Sequence, residues 1–324
     1  MQKLFTVEEH YSSARITDQI QAILGVEGPA ARRENETQRR AEDLGRDRIA
    51  YLDSVGITRQ VIGCADDFPS CMVAEYAVPL CRDLNDEMAE KAREYPDRYA
   101  CFAALPLSSP SDAASELERC VLKLGFVGAM LAGHVDGRPY DDEWYFPIFA
   151  KASELGVPVY LHPCPVDKEI KAKYYQGAWS AQAAALFAGF GIGWHYDVGM
   201  QALRMMMAGV FDRLPTLQII LGHWGEVVSF FARRLDEIGR SVTGLQKDFS
   251  DYFKENVYVN PSGMLYGEQF RYCLEFFGPE RILWGQDYPY RRPENIRGFL
   301  EDFPLDALDR EKIAWQNAEK LFRL

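Results

Sequence analysis

The chain has 324 residues, 48% of them hydrophobic, which is enough to bury one large core or two smaller ones. Its formal net charge is −12 and no run of Lys and Arg could track a phosphate backbone, which excludes nucleic acid as a partner. No apolar run approaches the length of a membrane span, no basic N-terminal region precedes a long apolar core as in a signal peptide, and seven cysteines without a CxxC pair read as free thiols in a reducing, cytoplasmic setting.

KLFTV (3–7) reads as the first strand, and three polar residues, Glu8, Glu9 and His10, follow it directly. Side chains alternate along a strand, so Glu8 and His10 share a face and Glu9 points the other way. A long segment, 11–45, separates this strand from a helix beginning near Asp47. Its basic stretch ARRENETQRR (31–40) is interrupted by Glu34 and Glu36 and reads as a solvated face. Strands follow at RQVIG (59–63), YACFAAL (99–105) and FVGAML (126–131), with His134 just beyond the last of these. VPVYL (157–161) leads into His162, and Cys164 lies two residues on. A second long segment, 163–195, is rich in aromatic and small residues and ends at His195. LQIIL (217–221) leads to His223 and Glu226, spaced H-x-x-E. NVYVN (256–260) and RILWG (281–285) complete the strands, and Asp287 lies just past the end. Between strands, SELERCVLKL, FPIFAKASEL, DVGMQALRMMMAGVF and VVSFFARRLDEI carry apolar residues three and four apart, the period of an amphipathic helix.

Eight short buried strands alternating with helices predict an α/β fold, a single (β/α)8 TIM barrel spanning 1–324. The alternative is a doubly wound open sheet, although no GxGxxG follows a strand. In a barrel, both long segments lie over the C-terminal face, where substrates bind. All five histidines fall on that side. Glu8, His10, His162 and Asp287, at the ends of strands one, five and eight, converge there as a metal-ligand set. Imidazole mixed with carboxylate suits Zn²⁺, Mn²⁺ or Fe²⁺, and a carboxylate-rich set tolerates Mg²⁺. If a helix starts after strand six, a carboxylate one turn beyond His223 orients and charges its imidazole. His223 and Glu226 then read as a proton-handling pair.

The motifs VEEH (7–10), RIAYLDSVGI (48–57), PDRYACFAALPLSSP (96–110), ELERCVLKLGFVGAML (116–131), VPVYLHP (157–163), AGVFDRLPTLQIILGHWGE (208–226), ILWGQDYPY (282–290) and NAEKLFRL (317–324) form one set. That set resembles the metal-dependent decarboxylase branch of the amidohydrolase superfamily, which includes the γ-resorcylate, dihydroxybenzoate, 5-carboxyvanillate and aminocarboxymuconate semialdehyde decarboxylases. The likeness covers nearly the whole chain. It implies an amidohydrolase-like barrel with one divalent metal, Zn or Mn with Mg also accepted, on Glu8, His10, His162 and Asp287. It implies a catalytic His223 supported by Glu226. It also implies that Arg48 and Arg234 bind a substrate carboxylate, with Arg233 as the alternative to Arg234. One of these arginines can come from a neighbouring subunit, so the resemblance implies a homodimer or homotetramer. The expected reaction is non-oxidative, reversible decarboxylation of a small hydroxylated aromatic carboxylic acid. In it Asp287 protonates the ring carbon, His223 polarises a substrate oxygen, and Trp194, His195, Tyr196 and Trp224 flank the ring. The alternative on the same barrel is a metal-dependent hydrolase of a lactone or amide, with Asp287 as base.

Overall fold

The computed structural model of the chain describes residues 1–25, 35–64 and 69–324. Residues 26–34, part of the long segment 11–45 and of the basic stretch 31–40, lie outside the described residues. Among the described residues, seven strands form one sheet in sequence order: β1 (Phe5–His10), β2 (Arg59–Gly63), β3 (Tyr99–Ala103), β4 (Gly128–Ala132), β5 (Val159–His162), β6 (Ile219–Leu221) and β7 (Val257–Val259). Every neighbouring pair is parallel. Helices such as Ala74–Arg93, Phe146–Leu155 and Phe249–Asn256 carry the crossovers.

Each strand splits its side chains between two cores. Val7, Val61, Phe102, Met130, Tyr160 and Ile220 pack on one side of the sheet. Their strand neighbours Ile62, Cys101, Leu131, Leu161 and Leu221 pack with the helices on the other. Burial on both faces explains why the sequence shows continuous apolar runs rather than alternation. Fully buried residues such as Phe102 each contribute about 1.5–3 kcal/mol of transfer free energy.

The predicted eighth strand is reduced to a bridge. Ile282 makes one parallel bridge to Val259. The Leu283 N–H donates to the Val259 carbonyl at 2.8 Å, and the Val7 N–H donates to the Trp284 carbonyl at 2.8 Å. This segment therefore touches both edge strands, β7 and β1, and Leu283 joins the inner core. Gly285 permits the approach, since a Cβ there would stand 2.3 Å from the Val7 carbonyl oxygen.

The first strand runs three residues beyond its apolar run because its end is held. The His10 N–H donates to the Tyr288 carbonyl at 2.7 Å and the Tyr11 N–H to the Gly63 carbonyl at 3.0 Å. A bulge breaks the register between Val7 and Glu9, with Glu8 at a φ of 67°. Val7 faces the inner core, so unbroken alternation would send Glu9 inward and leave Glu8 and His10 among the helices. The extra residue resets the phase. Glu8 stays on the Val7 side, and Glu9 turns to Thr6 and Gln60.

Both long segments predicted over the C-terminal face contain helix. Ser13 and Asn35 cap the helices Ala14–Leu24 and Glu36–Glu42. Asp167 and Ser180 cap helical turns at 168–175 and 181–191, and the helix Gly193–Met207 follows. In each case the cap side chain accepts a backbone N–H of the first turn. Among the described residues, no helix is long and apolar enough to cross a membrane.

Candidate metal centre and acid–base site

The ends of β1 and β5 bring Glu8, His10 and His162 together, with one donor atom from each lying within 4.8 Å of the others. Glu8 is fully buried. Its Oε2 accepts the Ser262 hydroxyl. Its Oε1 has no hydrogen-bond partner among the described residues, and lies 3.7 Å from His162 Nε2 and 3.8 Å from His223 Nδ1. A buried carboxylate oxygen left in that state is costly, and a divalent cation is a group that would use it. Burial raises the Glu8 carboxyl above its ordinary range, with His223 pulling it back. Burial also pushes the His162 imidazole well below its ordinary range, and His10 and His223 add to the effect. A neutral imidazole keeps its lone pair for a metal. Asp287 lies beside this group, with Oδ1 2.9 Å from His10 Nε2. Two carboxylates and two imidazoles fit Mn²⁺ or Zn²⁺.

β6 ends at Leu221, and the turn His223–Glu226 is wound left-handed, with φ of 46°, 61°, 85° and 53° at its four residues. The expected right-handed start of a helix is absent because other partners hold the backbone. The His223 N–H donates to Ser262 Oγ at 2.7 Å, and the Trp224 N–H to the Asn260 carbonyl at 2.8 Å. Trp224 is not part of the mouth. Its indole N–H donates to the Met264 carbonyl at 2.7 Å and its ring stacks on Phe270 at 5.2 Å. Gly222 precedes the turn, and a Cβ there would stand 2.5 Å from the Tyr160 hydroxyl, 2.6 Å from Ser262 Oγ and 2.7 Å from Glu8 Oε2. Glu8, His223, Glu226, Ser262 and Asp287 all have positive φ, a concentration of backbone strain of the kind found at functional sites.

The turn still delivers the expected pair: His223 Nδ1 lies 2.8 Å from Glu226 Oε1. A second imidazole holds the other oxygen, with His195 Nδ1 2.7 Å from Glu226 Oε2 and the two rings 4.3 Å apart. Burial alone would push His223 down, but Glu226 and Glu8 outweigh it and raise the group to about 10. Burial alone would raise Glu226, but His223 and His195 hold it down at about 2. Glu226 is thus a buried carboxylate between two imidazoles.

The other expected residues are dispersed. Arg48 is fully buried beneath the end of β1, and its Nη2 has no hydrogen-bond partner among the described residues. Its Nη1 donates to the His10 carbonyl at 2.7 Å, its Nε to Gln60 Oε1 at 2.8 Å, and its guanidinium lies 4.4 Å from the Tyr288 ring centre. Glu9, raised to about 8 by burial against the pull of Arg48, accepts Gln60 and the backbone N–H groups of Gln286 and Tyr288. Glu9 and Arg48 together brace the ends of β1 and the Asp287 loop. Within this chain Arg234 pairs only with Glu237, among the described residues, and its side chain is 75% exposed. It lines a surface groove of about 260 Å³ with Tyr196, Met200 and Phe231. Successive residues on a helix point about 100° apart, which separates the three residues expected to flank a ring. His195 reaches Glu226, Trp194 donates its indole N–H to His195 Nε2 at 3.0 Å, and Tyr196, 45% exposed, turns out to the groove. Ser262 and Asn260 were not among the expected site residues. Asn260 donates to the Tyr160 hydroxyl at 3.0 Å and accepts the Ser262 N–H at 2.8 Å. Their signal was NPS directly after the seventh strand, the same polar strand end that marked the other ligands. Tyr290 was also missed, and its ring lies 5.2 Å from that of His10.

Cation donors at the C-terminal ends of parallel strands, beside a histidine charged by its own carboxylate, define a metal-dependent α/β enzyme. The chain belongs to the Amidohydrolase family, which it matches over residues 44–324. It is 32% identical to the decarboxylase orsB of Emericella nidulans over 335 residues, which cover 99% of this chain and 97% of that protein. It is 33% identical over 341 residues to a γ-resorcylate decarboxylase of Rhizobium sp., covering 100% and 99% of the two chains. The crystal structure of dihydroxybenzoic acid decarboxylase from Polaromonas sp., with bound manganese and 2-nitroresorcinol, superposes with a TM-score of 0.88 at 30% identity, covering 100% of this chain and 98% of that one.

Proposed function

We propose that this chain is a divalent-metal-dependent, non-oxidative decarboxylase of a small hydroxylated aromatic carboxylic acid. The observation that carries the reading is the unpartnered Glu8 Oε1, buried among His162, His223 and the His10–Asp287 pair. The relatives named as decarboxylases support the reaction type. A cation on Glu8, His10, His162 and Asp287 supplies the positive charge that anchors a carboxylate with its neighbouring hydroxyl. Loss of CO₂ leaves an electron pair on the ring carbon, and prior protonation of that carbon provides the sink. Asp287 is the proton donor to the ring. Glu226 takes up the Nδ1 side of His223, which leaves the other ring nitrogen for a substrate oxygen. His195 and Ser262 fix Glu226 and the His223 backbone in place.

The segment 282–285 serves as the eighth strand of a closed (β/α)8 barrel, a reading supported by its hydrogen bonds to both β7 and β1. The functional form is a cytoplasmic homodimer in which Arg234 serves a neighbouring subunit. The exposure of Arg234 and of Phe230 and Phe231 beside it supports that arrangement.

The test is elemental analysis of the purified protein, then CO₂ release across hydroxybenzoates, carboxyvanillate and muconate semialdehydes. About one metal per chain and CO₂ release from at least one hydroxylated aromatic acid are expected. Metal-loaded protein that opens lactones or amides and releases no CO₂ would overturn the reading in favour of a hydrolase.

A further inference from the structure

A second group of donors stands beside the first and takes no part in it. His134 follows β4, Cys164 lies two residues beyond His162, and Asp197 lies early in the helix Gly193–Met207. One nitrogen, one sulfur and one oxygen from these three lie within 4.8 Å of one another. His134 Nε2 is 2.8 Å from Asp197 Oδ2, and its Nδ1 is buried with no hydrogen-bond partner among the described residues. Cys164 is a free thiol, 6% exposed, whose sulfur is hydrogen-bonded by the Gly133 backbone N–H. The side chains of His134 and Asp197 are 18% and 14% exposed, so a small ion can reach them.

The arrangement parallels the first set. His10 and Asp287 form an imidazole–carboxylate pair at 2.9 Å with further donors beside it, and His134 and Asp197 form one at 2.8 Å with a sulfur beside it. The difference lies in the third donor. The first set has a carboxylate and another imidazole, and the second has a thiol. We propose that His134, Cys164 and Asp197 form a second cation site that takes a thiophilic divalent ion, Zn²⁺ or Cd²⁺, in preference to Mn²⁺ or Mg²⁺. Thiolate donors select such ions, whereas carboxylate-rich sets accept the harder ones. Tetrahedral coordination needs donor atoms roughly 3–4 Å apart, at ligand bonds of about 2.0–2.3 Å, so closing this group requires only a small inward movement. Binding releases the Cys164 thiol proton to solvent. The two negative charges of thiolate and carboxylate then balance the ion, which suits a half-buried position. Because Cys164 and His162 flank Pro163 on one strand end, an ion held there also restrains a ligand of the first set.

The test uses the full chain loaded with Mn²⁺ and titrated with Cd²⁺. Cd²⁺ and Mn²⁺ are counted by elemental analysis, and the thiolate-to-metal charge-transfer band is followed in the near ultraviolet. One further equivalent of Cd²⁺ is expected, with the band present and Mn²⁺ retained. Cys164→Ser removes the band, and Cys120→Ser, at a buried thiol that bonds Glu116 outside this group, leaves it in place. Asp197→Asn, which keeps the thiol, weakens Cd²⁺ binding by at least the roughly tenfold that loss of a supporting group costs a metal site. If Cys164→Ser does not fold by circular dichroism, Asp197→Asn decides. The proposal is overturned if no second equivalent binds, if Cd²⁺ merely displaces Mn²⁺, if the band survives Cys164→Ser, or if Asp197→Asn binds Cd²⁺ as wild type does. These readouts do not involve decarboxylation, so their failure is distinct from failure of the proposed activity.

Discussion

Glu226→Gln removes the charge between His195 and His223 while keeping the shape of the side chain. In metal-free protein the cost follows from the two shifted groups. His223 is raised from an ordinary 6.5 to about 10, so its pairing stabilises fully below about pH 6.5 and is lost as pH rises towards about 10. Glu226 is depressed from 4.5 to about 2, so its contribution is complete above about pH 4.5 and is lost as pH falls towards about 2. Both are therefore fully present between about pH 4.5 and 6.5. Removing one member of a buried pair costs about 3–5 kcal/mol, and the substitution is expected to cost that much near pH 5.5. Near pH 9.5 the folded-state imidazole is still largely protonated, but the pH has almost reached its folded value of about 10, so most of the linked stabilisation is gone and the difference shrinks. Urea unfolding of chelator-treated wild type and variant at the two pH values measures this. An equal loss at both, or a loss below about 1 kcal/mol near pH 5.5, would mean that Glu226 and His223 are not a buried charged pair. The same substitution lowers kcat for CO₂ release, because His223 loses the group that charges and orients it.

Gly222→Ala places a methyl group 2.5–2.7 Å from the Tyr160 hydroxyl, Ser262 Oγ and Glu8 Oε2. It is expected to cost about 1–3 kcal/mol by overpacking and to weaken metal binding, measured by unfolding and metal titration. Ser262→Ala deletes the hydroxyl that donates to Glu8 and accepts the His223 N–H. Metal affinity is expected to fall about 10–100-fold in a competitive chelator titration. Arg48→Lys keeps the charge but loses the guanidinium fork that reaches both the His10 carbonyl and Gln60. A lower Tm with KM little changed is expected, whereas a raised KM at unchanged Tm would make Arg48 a substrate contact.

Much of this site was readable as polar residues at the ends of apolar runs. The pairing of Glu8 with His10 against Glu9 followed from alternation alone. Which of the two faces meets the metal did not, because a one-residue bulge at Glu8 resets the phase and leaves no mark in hydrophobic pattern. His223 and Glu226 were legible through their spacing, but the left-handed turn that joins them depends on Asn260 and Ser262, which are distant in sequence. The partners of Arg48 were not legible in the sequence. Its place in the chain is that expected of a substrate arginine, while its hydrogen bonds go to the His10 carbonyl and Gln60. The segment that bridges to β7 was legible as RILWG because Ile282, Leu283 and Trp284 are buried whether or not a full ladder forms.

Glu8 and His10 are expected to face a bound cation while Glu9 supports the backbone behind them. Elemental analysis of dialysed wild type, Glu8→Gln and Glu9→Gln tests it most directly. About one divalent metal per chain is predicted in the wild type and in folded Glu9→Gln, and little or none in Glu8→Gln. Retention of stoichiometric metal by Glu8→Gln, or equal loss from both variants while both remain folded, would contradict it.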